Sequence, residues 1–331
     1  MKGEAMSQNN RSNFDLTTLN QLQQIQLTGD KSIDSTLVDD FINFLDVSEE
    51  TSKTYRKNLK PFFTFLEINQ IINPNRQNVI EYKRYLAELN HKPTTIQNRL
   101  VAIRQFFKWL NSIGFYPNIT ENVKSMKLNH TFKKDALTAK QATQLLHSID
   151  RRTKEGKRAY AIIYLMVTTG LRTIEINRAN IEDMRNVGNQ FVLYIKGKGR
   201  TEKSEYVKIT EHTLQAINDY LQSREMIKAT DPLFVSNSHN SYNKRLSTRS
   251  ISHIVKAQLK AINLFSPRLT AHSLRHTAGT LNMLSGGSLE ETQQLLRHKN
   301  LQTTLIYSHA LERMKNDSEN RIDNFINQSH E

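Results

Sequence analysis

The chain has no cysteine in its 331 residues. That absence excludes a disulfide scaffold and any thiolate metal site, and it fits a reducing compartment. No apolar run approaches the roughly 18 residues of a membrane span. The first thirty residues lack the basic-then-apolar order of a signal peptide. Missing too are a Walker loop, a zinc-ligand spacing and a carboxylate triad of recognisable metal-nuclease pattern. No internal repeat is visible. These absences leave a soluble, cytoplasmic, non-membrane protein as the expectation, with neither a metal nor a cofactor.

What is present in excess is positive charge. Lys and Arg number 46 against 32 Asp and Glu, a formal net charge of +14. Such a field attracts a polyanion, and nucleic acid is the commonest one. A basic ribosomal or membrane-surface protein has a similar balance, so charge alone leaves the class open. The length suits two domains. The apolar fraction of 37% is enough for ordinary cores.

Residues 1–30, rich in Asn and Gln, read as a weakly ordered arm, with one short candidate helix at 16–27. Beyond it the apolar spacing turns helical. Leu37, Phe41, Phe44 and Leu45 share one face. A second helix, SEETSKTYRKNLKPFFTFLEI, opens at a Ser48 or Thr51 cap. NPNRQNVIEYKRYLAEL is a third. KPTTIQNRLVAIRQFFKWLNSIG is a fourth, with Pro93 in its first turn and Gly114 past its end. The resulting helical domain spans 31–118. Periodicity breaks over 119–135, a basic linker carrying Lys133 and Lys134. The second domain, 136–331, opens at a Thr138 cap. It buries AYAIIYLMVTTG, places two β-rich runs around Gly-Lys-Gly in NQFVLYIKGKGRTEKSEYVKIT, and returns to helix at 211–226, 248–262, 273–285 and 288–297. The fold class is therefore mainly α, with a small antiparallel sheet in the second domain.

The most informative strings lie in that domain. TTGLRTIEI carries Arg172, with Glu175 three residues on. TAHSLRHTAGT carries His272, Arg275 and His276. LLRHKN carries Arg297 and His298, and TTLIYSHA carries Tyr307. Each has an ordinary reading. Arg172 is satisfied by a local carboxylate, His298 caps helix carbonyls, and most tyrosines are core or surface residues. Together they are a set suited to phosphodiester transfer without a metal. Arginines neutralise a pentacovalent phosphorane, imidazoles hydrogen-bond its oxygens, and a phenol attacks phosphorus.

In this order and spacing the strings resemble the tyrosine recombinase (phage integrase) family, nearest to its Xer-type members, over roughly residues 35–315. The resemblance implies catalytic roles for Arg172, Lys198, His272, Arg275, His298 and Tyr307. Lys198, in Gly-Lys-Gly, would protonate the leaving 5′-oxygen. Glu175 would steady Arg172 from behind, and His276 matches a position usually read as structural. One departure stands out. The family usually has Leu-Gly-His where this chain has Leu-Arg-His, and Arg297 becomes a candidate phosphate contact. The N-terminal helices resemble the family's core-binding domain, with Lys53, Arg56, Lys57, Thr95, Asn98, Arg99 and Arg104 as candidate DNA contacts. Lys133, Lys134 and Arg200 join them, although for each residue a merely solvated basic face is an equal reading.

The implied partner is double-stranded DNA, cut through a 3′-phosphotyrosine and passed through a Holliday junction. The implied assembly is a homotetramer. Ile322, Phe325 and Ile326 form an i, i+3, i+4 stripe near the C-terminus, read as a helix exchanged with the next protomer. The bland alternative packs that stripe on its own domain. The SGGSLEETQQLLRHKN segment and the residues after Tyr307 look more like integrases of mobile elements. The size suits Xer-type dimer resolution. A type IB topoisomerase-like enzyme, an inactive DNA-binding regulator and a metal-dependent nuclease are the remaining alternatives.

Overall fold

A computed structural model describes residues 33–127, 135–197, 202–305, 307–308 and 316–328. The expected arm at 1–30 and the calls on Lys133, Lys134, Lys198 and Arg200 lie outside the described residues. The chain divides into two compact units, Met1–His130 and Thr131–Glu331. Among the described residues no helix is long and apolar enough to cross a membrane.

The N-terminal unit holds α1 (Leu37–Phe44), α2 (Glu49–Ile68), α3 (Arg76–Glu88) and α4 (Pro93–Ser112). Of the two candidate caps for α2, Ser48 does the work, its hydroxyl accepting from the Thr51 amide. Asn75 caps α3 reciprocally with Asn78. α4 packs on both α2 and α3. Its Phe106 meets Phe41, Phe63 and Phe107 edge-on, with ring centroids 5.5 Å apart in each case.

The linker begins later than the sequence pattern implies. Ile119 and Val123 are buried in this unit's core, and Thr120 is buried with them. Side chains of α3 and α4 satisfy the segment's backbone. Arg76 donates to the Glu121 and Asn122 carbonyls, Arg104 donates to the Val123 carbonyl, and Gln97 accepts from the Met126 amide. A segment with no periodicity is thus held in place by long polar side chains.

The C-terminal unit begins with α5 (Ala139–His147), opened by a Thr138–Gln141 capping box. α6 (Lys154–Thr169) is its central element, and α7 (Thr173–Arg178) follows at once. Three strands come next: β1 (Met184–Val187), β2 (Gln190–Ile195) and β3 (Glu205–Lys208), antiparallel in the order β1-β2-β3. Met184 pairs with Leu193, and Val192 with Lys208. Two β-rich runs were expected here. The third, β1, is short and polar with an exposed face, and it pairs through a two-residue turn in which Gly188 takes φ 61°. α8 (Glu211–Gln222), α9 (Thr248–Ala261), α10 (Ala271–Leu284) and α11 (Leu289–Leu296) complete the packed unit, and α12 (Ser318–Gln328) lies near the C-terminus. α6 packs against α8 and α10, and α10 against α11. Among the described residues the fold is mainly helical with one small antiparallel sheet.

Candidate active site

Two left-handed residues shape the site. α6 ends at Gly170, whose φ of 62° turns the chain sharply. That turn buries Leu171 and sets Arg172 at the start of α7. A Cβ on Gly170 would lie 2.6 Å from Leu296 Cδ2, so glycine also permits the close approach of α11. α11 ends at Arg297, which takes φ 52° and ψ 48°. There the same conformation is carried by a residue with a side chain.

Glu175, wholly buried, anchors the cluster. Its Oε1 accepts from Arg172 Nη1 at 2.7 Å, and its Oε2 from the Arg172 amide at 2.8 Å. Arg297 Nη2 also donates to Oε2, at 3.1 Å. Burial raises the Glu175 carboxyl, but Arg297 and then Arg172 outweigh it and hold the group below the ordinary carboxylate range. Arg275, on the first turns of α10, is 2% exposed and donates to the Gly170 and Leu296 carbonyls. Burial, with the fields of Arg172 and Arg297, brings its pKa down to about 9. Two guanidinium groups therefore hold one carboxylate and a third feels its field, an excess of positive charge that an anion relieves.

Tyr307 stands beside this cluster, 2% exposed. Its hydroxyl is 2.6 Å from His276 Nδ1. Its ring lies nearly parallel to that of His298, with centroids 6.4 Å apart. His298 Nδ1 is 2.9 Å from the Thr304 hydroxyl. The His272 and His276 rings meet edge-on at 4.7 Å. Burial, then neighbouring histidines and Arg275, brings His276 down to about 4. Burial, then Arg275 and Arg172, does the same to His298. Both rings are neutral at pH 7. The phenol moves the other way: burial pushes Tyr307 up to about 12, against the pull of Arg275. Desolvation of the phenol thus outweighs the pull of the neighbouring cation.

Arg172, Glu175, His272, Arg275, His276, His298 and Tyr307 thus come together from α6–α7, α10 and the segment after α11. Arg297 joins them in a role the sequence did not suggest. Its guanidinium turns inward to Glu175 and to the Leu295, Thr169 and Gly170 carbonyls. Arg104 is likewise committed to Val123 and Ser125. Arg56 pairs with Asp39, and Lys53 with Glu49. Lys57 and Asn98 are exposed, while Thr95 and Arg99 are half-buried. Ile322, Phe325 and Ile326 are each more than half exposed. Sequence reasoning missed Thr304 and Gly279; a Cβ on Gly279 would lie 3.2 Å from the Tyr307 ring.

Residues 135–314 match the model of the phage integrase family, and residues 38–114 match that of the phage integrase N-terminal SAM-like domain. The chain is 30% identical over 307 residues to a tyrosine recombinase XerC of Caldanaerobacter subterraneus, covering 83% of each chain. It belongs to the phage integrase family. As a tyrosine recombinase it catalyses DNA cleavage and rejoining. A tyrosine recombinase XerD of Staphylococcus epidermidis is 25% identical over 288 residues, 83% of this chain and 94% of that one. Two solved structures share the fold. XerH bound to a palindromic difH substrate aligns with TM-score 0.67 at 21% identity, over 92% of this chain and 87% of that one. The integrase of transposon Tn1549, in complex with transposon right end DNA, aligns with TM-score 0.62 at 18% identity, over 87% and 94%.

Proposed function

We propose that Tyr307 is the nucleophile of site-specific recombination on duplex DNA. The observation that carries this reading is the phenol held by neutral His276 beside the Arg172–Glu175–Arg275 cluster. The two arginines neutralise the scissile phosphate, and His272 and His298 hydrogen-bond its oxygens. The Tyr307 oxygen bonds to phosphorus as the P–O5′ bond breaks. The phenol proton passes to His276, whose Nδ1 lies 2.6 Å away, and Lys198 supplies the proton that the leaving 5′-oxygen takes up. Phosphate charge placed beside His276 favours its protonated form and so offsets the depression of its basicity. The 5′-hydroxyl of the partner strand, giving its proton to Lys198, then attacks the 3′-phosphotyrosine. The bond from phosphorus to the Tyr307 oxygen breaks, and His276 returns the phenol proton. Exchange of one strand pair gives a Holliday junction and, after a second exchange, recombinant DNA.

The N-terminal helices supply the second DNA-binding unit, and four protomers assemble on two sites. The exposed stripe Ile322, Phe325 and Ile326 supports exchange of α12 between protomers. Integration and excision of a mobile element is the biological role we favour from the sequence around Tyr307. Similarity to XerC and XerD supports dimer resolution as the second reading. An excised circle, detected by amplification across its joint in the source cell, would favour the first. Chromosome dimers accumulating in a deletion strain would favour the second.

On a labelled suicide duplex the wild type should form a covalent adduct that survives a denaturing gel. Tyr307→Phe should bind the same DNA and form none; an adduct persisting in that variant refutes the assignment. Deleting residues 316–331 should leave single-site binding nearly unchanged and lower synapsis. Equal loss of both would favour packing of α12 on its own protomer.

A further inference from the structure

Arg297 occupies a backbone conformation that costs a residue with a side chain free energy. A left-handed non-glycine residue persists only where its surroundings over-determine it, and such residues cluster at functional sites. Here the surroundings are specific. Nη1 donates to the Leu295 carbonyl at 2.7 Å and to that of Thr169 at 3.3 Å. Nη2 donates to Glu175 Oε2 at 3.1 Å and to the Gly170 carbonyl at 3.3 Å. The Gly170 carbonyl also accepts from Arg275. The fork therefore ties together the end of α6, the end of α11 and the carboxylate behind Arg172. Only a planar guanidinium presents donors to so many acceptors at once.

We propose that Arg297 is a positioning residue for strand cleavage, holding Glu175 so that Arg172 meets the scissile phosphate in a fixed orientation. This rests on the reading of Arg172 as a phosphate ligand. Arg172 uses Nη1 on Glu175, and among the described residues no acceptor is recorded on its Nε or Nη2. Arg172 is itself 30% exposed, against 11% for Arg297. The outer arginine can reach substrate while the inner one fixes its partner. The charge of Arg297, together with that of Arg172, keeps Glu175 ionised. A carboxylate held from two sides has little freedom to rotate, and orientation of a charged ligand is where small displacements cost most.

The left-handed backbone makes the test clean. Arg297→Gly suits φ 52° better than arginine does, so it removes the guanidinium without opposing the turn. The assay is single-turnover adduct formation on a suicide duplex, alongside duplex affinity and thermal melting. Arg297→Gly should bind duplex about as tightly as wild type and cleave about ten- to hundredfold more slowly. Millimolar methylguanidinium should recover part of that rate. Arg297→Lys, which keeps the charge and loses the fork, should fall between the two. Wild-type cleavage by Arg297→Gly would overturn the proposal, as would a slow variant that methylguanidinium does not restore. If Arg297→Gly fails to fold, Arg297→Lys decides, and a wild-type rate from it would overturn the proposal. A wild type that forms no adduct through Tyr307 would instead overturn the underlying reading, and this proposal with it.

Discussion

Among the described residues, Thr120 is the buried polar side chain of the N-terminal unit, whereas the C-terminal unit buries Arg158, Glu175, Asp183, Arg224 and Arg275 along with several threonines. The N-terminal core is instead built on rings, with Phe41, Phe62, Phe63, Phe106 and Phe107 all inside. Its basic side chains stay outward or bind backbone, as Arg104 does. Desolvating ions is expensive, and buried ion clusters are weak evidence for stability. In the C-terminal unit Glu175 and Arg275 belong to the site, whereas Arg158 and Arg224 bind backbone carbonyls and Asp183 pairs with Lys203. The two units thus divide the work: one offers a stable shape and a basic surface, the other a preorganised, partly dehydrated charge cluster.

The largest stability effect should come from breaking the ring core. Phe106→Ala removes a wholly buried ring in contact with Phe41, Phe63, Phe107 and Trp109. The cost should be about 3–5 kcal/mol. The chain has one tryptophan, Trp109, and it lies in this unit. Its fluorescence therefore reports N-terminal unfolding alone. The fluorescence midpoint should fall in denaturant while the helical signal of the C-terminal unit persists to higher concentration. A single transition, shifted equally by both probes, would show that the units do not keep separate cores.

Acid should act the other way round. His276 and His298 sit at about 4 in the folded protein against an ordinary value near 6.5. Between those values the unfolded chain binds more protons, so stability rises with pH there. Their contribution is fully present above about pH 6.5 and is lost as pH falls towards 4. Allowing for coupling between the rings and residual exposure, the loss should be roughly 3 kcal/mol or less. Glu175, held low by Arg297 and Arg172, extends the loss below its ordinary value. Thermal melts at pH 7 and pH 5 should shift for the C-terminal unit, with Trp109 fluorescence changing less. A C-terminal unit equally stable at both values would mean that the histidines are not held neutral.

How much of this was legible in the sequence differs between the same two units. In the N-terminal unit, periodicity and caps located the helices, because amphipathic spacing and Pro93 act locally. The tail of that unit, Ile119 to Val123, was not legible, because Arg76 and Arg104 hold it from far upstream. In the C-terminal unit, motif strings picked out the residues that now meet. Their partners were hidden, since His276 finds Tyr307, and His298 finds Thr304, through folding rather than spacing. The inward turn of Arg297 was hidden for a related reason. A surface arginine and a buried one look alike in sequence, and the left-handed end of α11 and the bond to Glu175 arise only on folding.

The smallest expected effect on stability, and the sharpest on geometry, belongs to Gly279. It lies inside α10, where glycine is worth about 1 kcal/mol less than alanine on propensity alone. Alanine should therefore stabilise the helix if nothing else intervened. A Cβ there would lie 2.8 Å from Leu296 Cδ1 and 3.2 Å from Cε1 and Cζ of Tyr307. Leu296 is fully buried and already meets Gly170 on its other methyl, so it has little room to yield. The phenol, reached at the carbon that bears its hydroxyl, must then shift by a few tenths of an ångström from His276. In Gly279→Ala the gain in propensity and the cost of crowding should nearly cancel, leaving the melting temperature close to wild type. Adduct formation should still fall about tenfold or more, because misplacing a nucleophile by a fraction of an ångström removes much of the advantage of preorganisation. A more stable variant that cleaves at the wild-type rate would show that Tyr307 has slack, and that the C-terminal unit is less tightly built around its nucleophile than around its arginines.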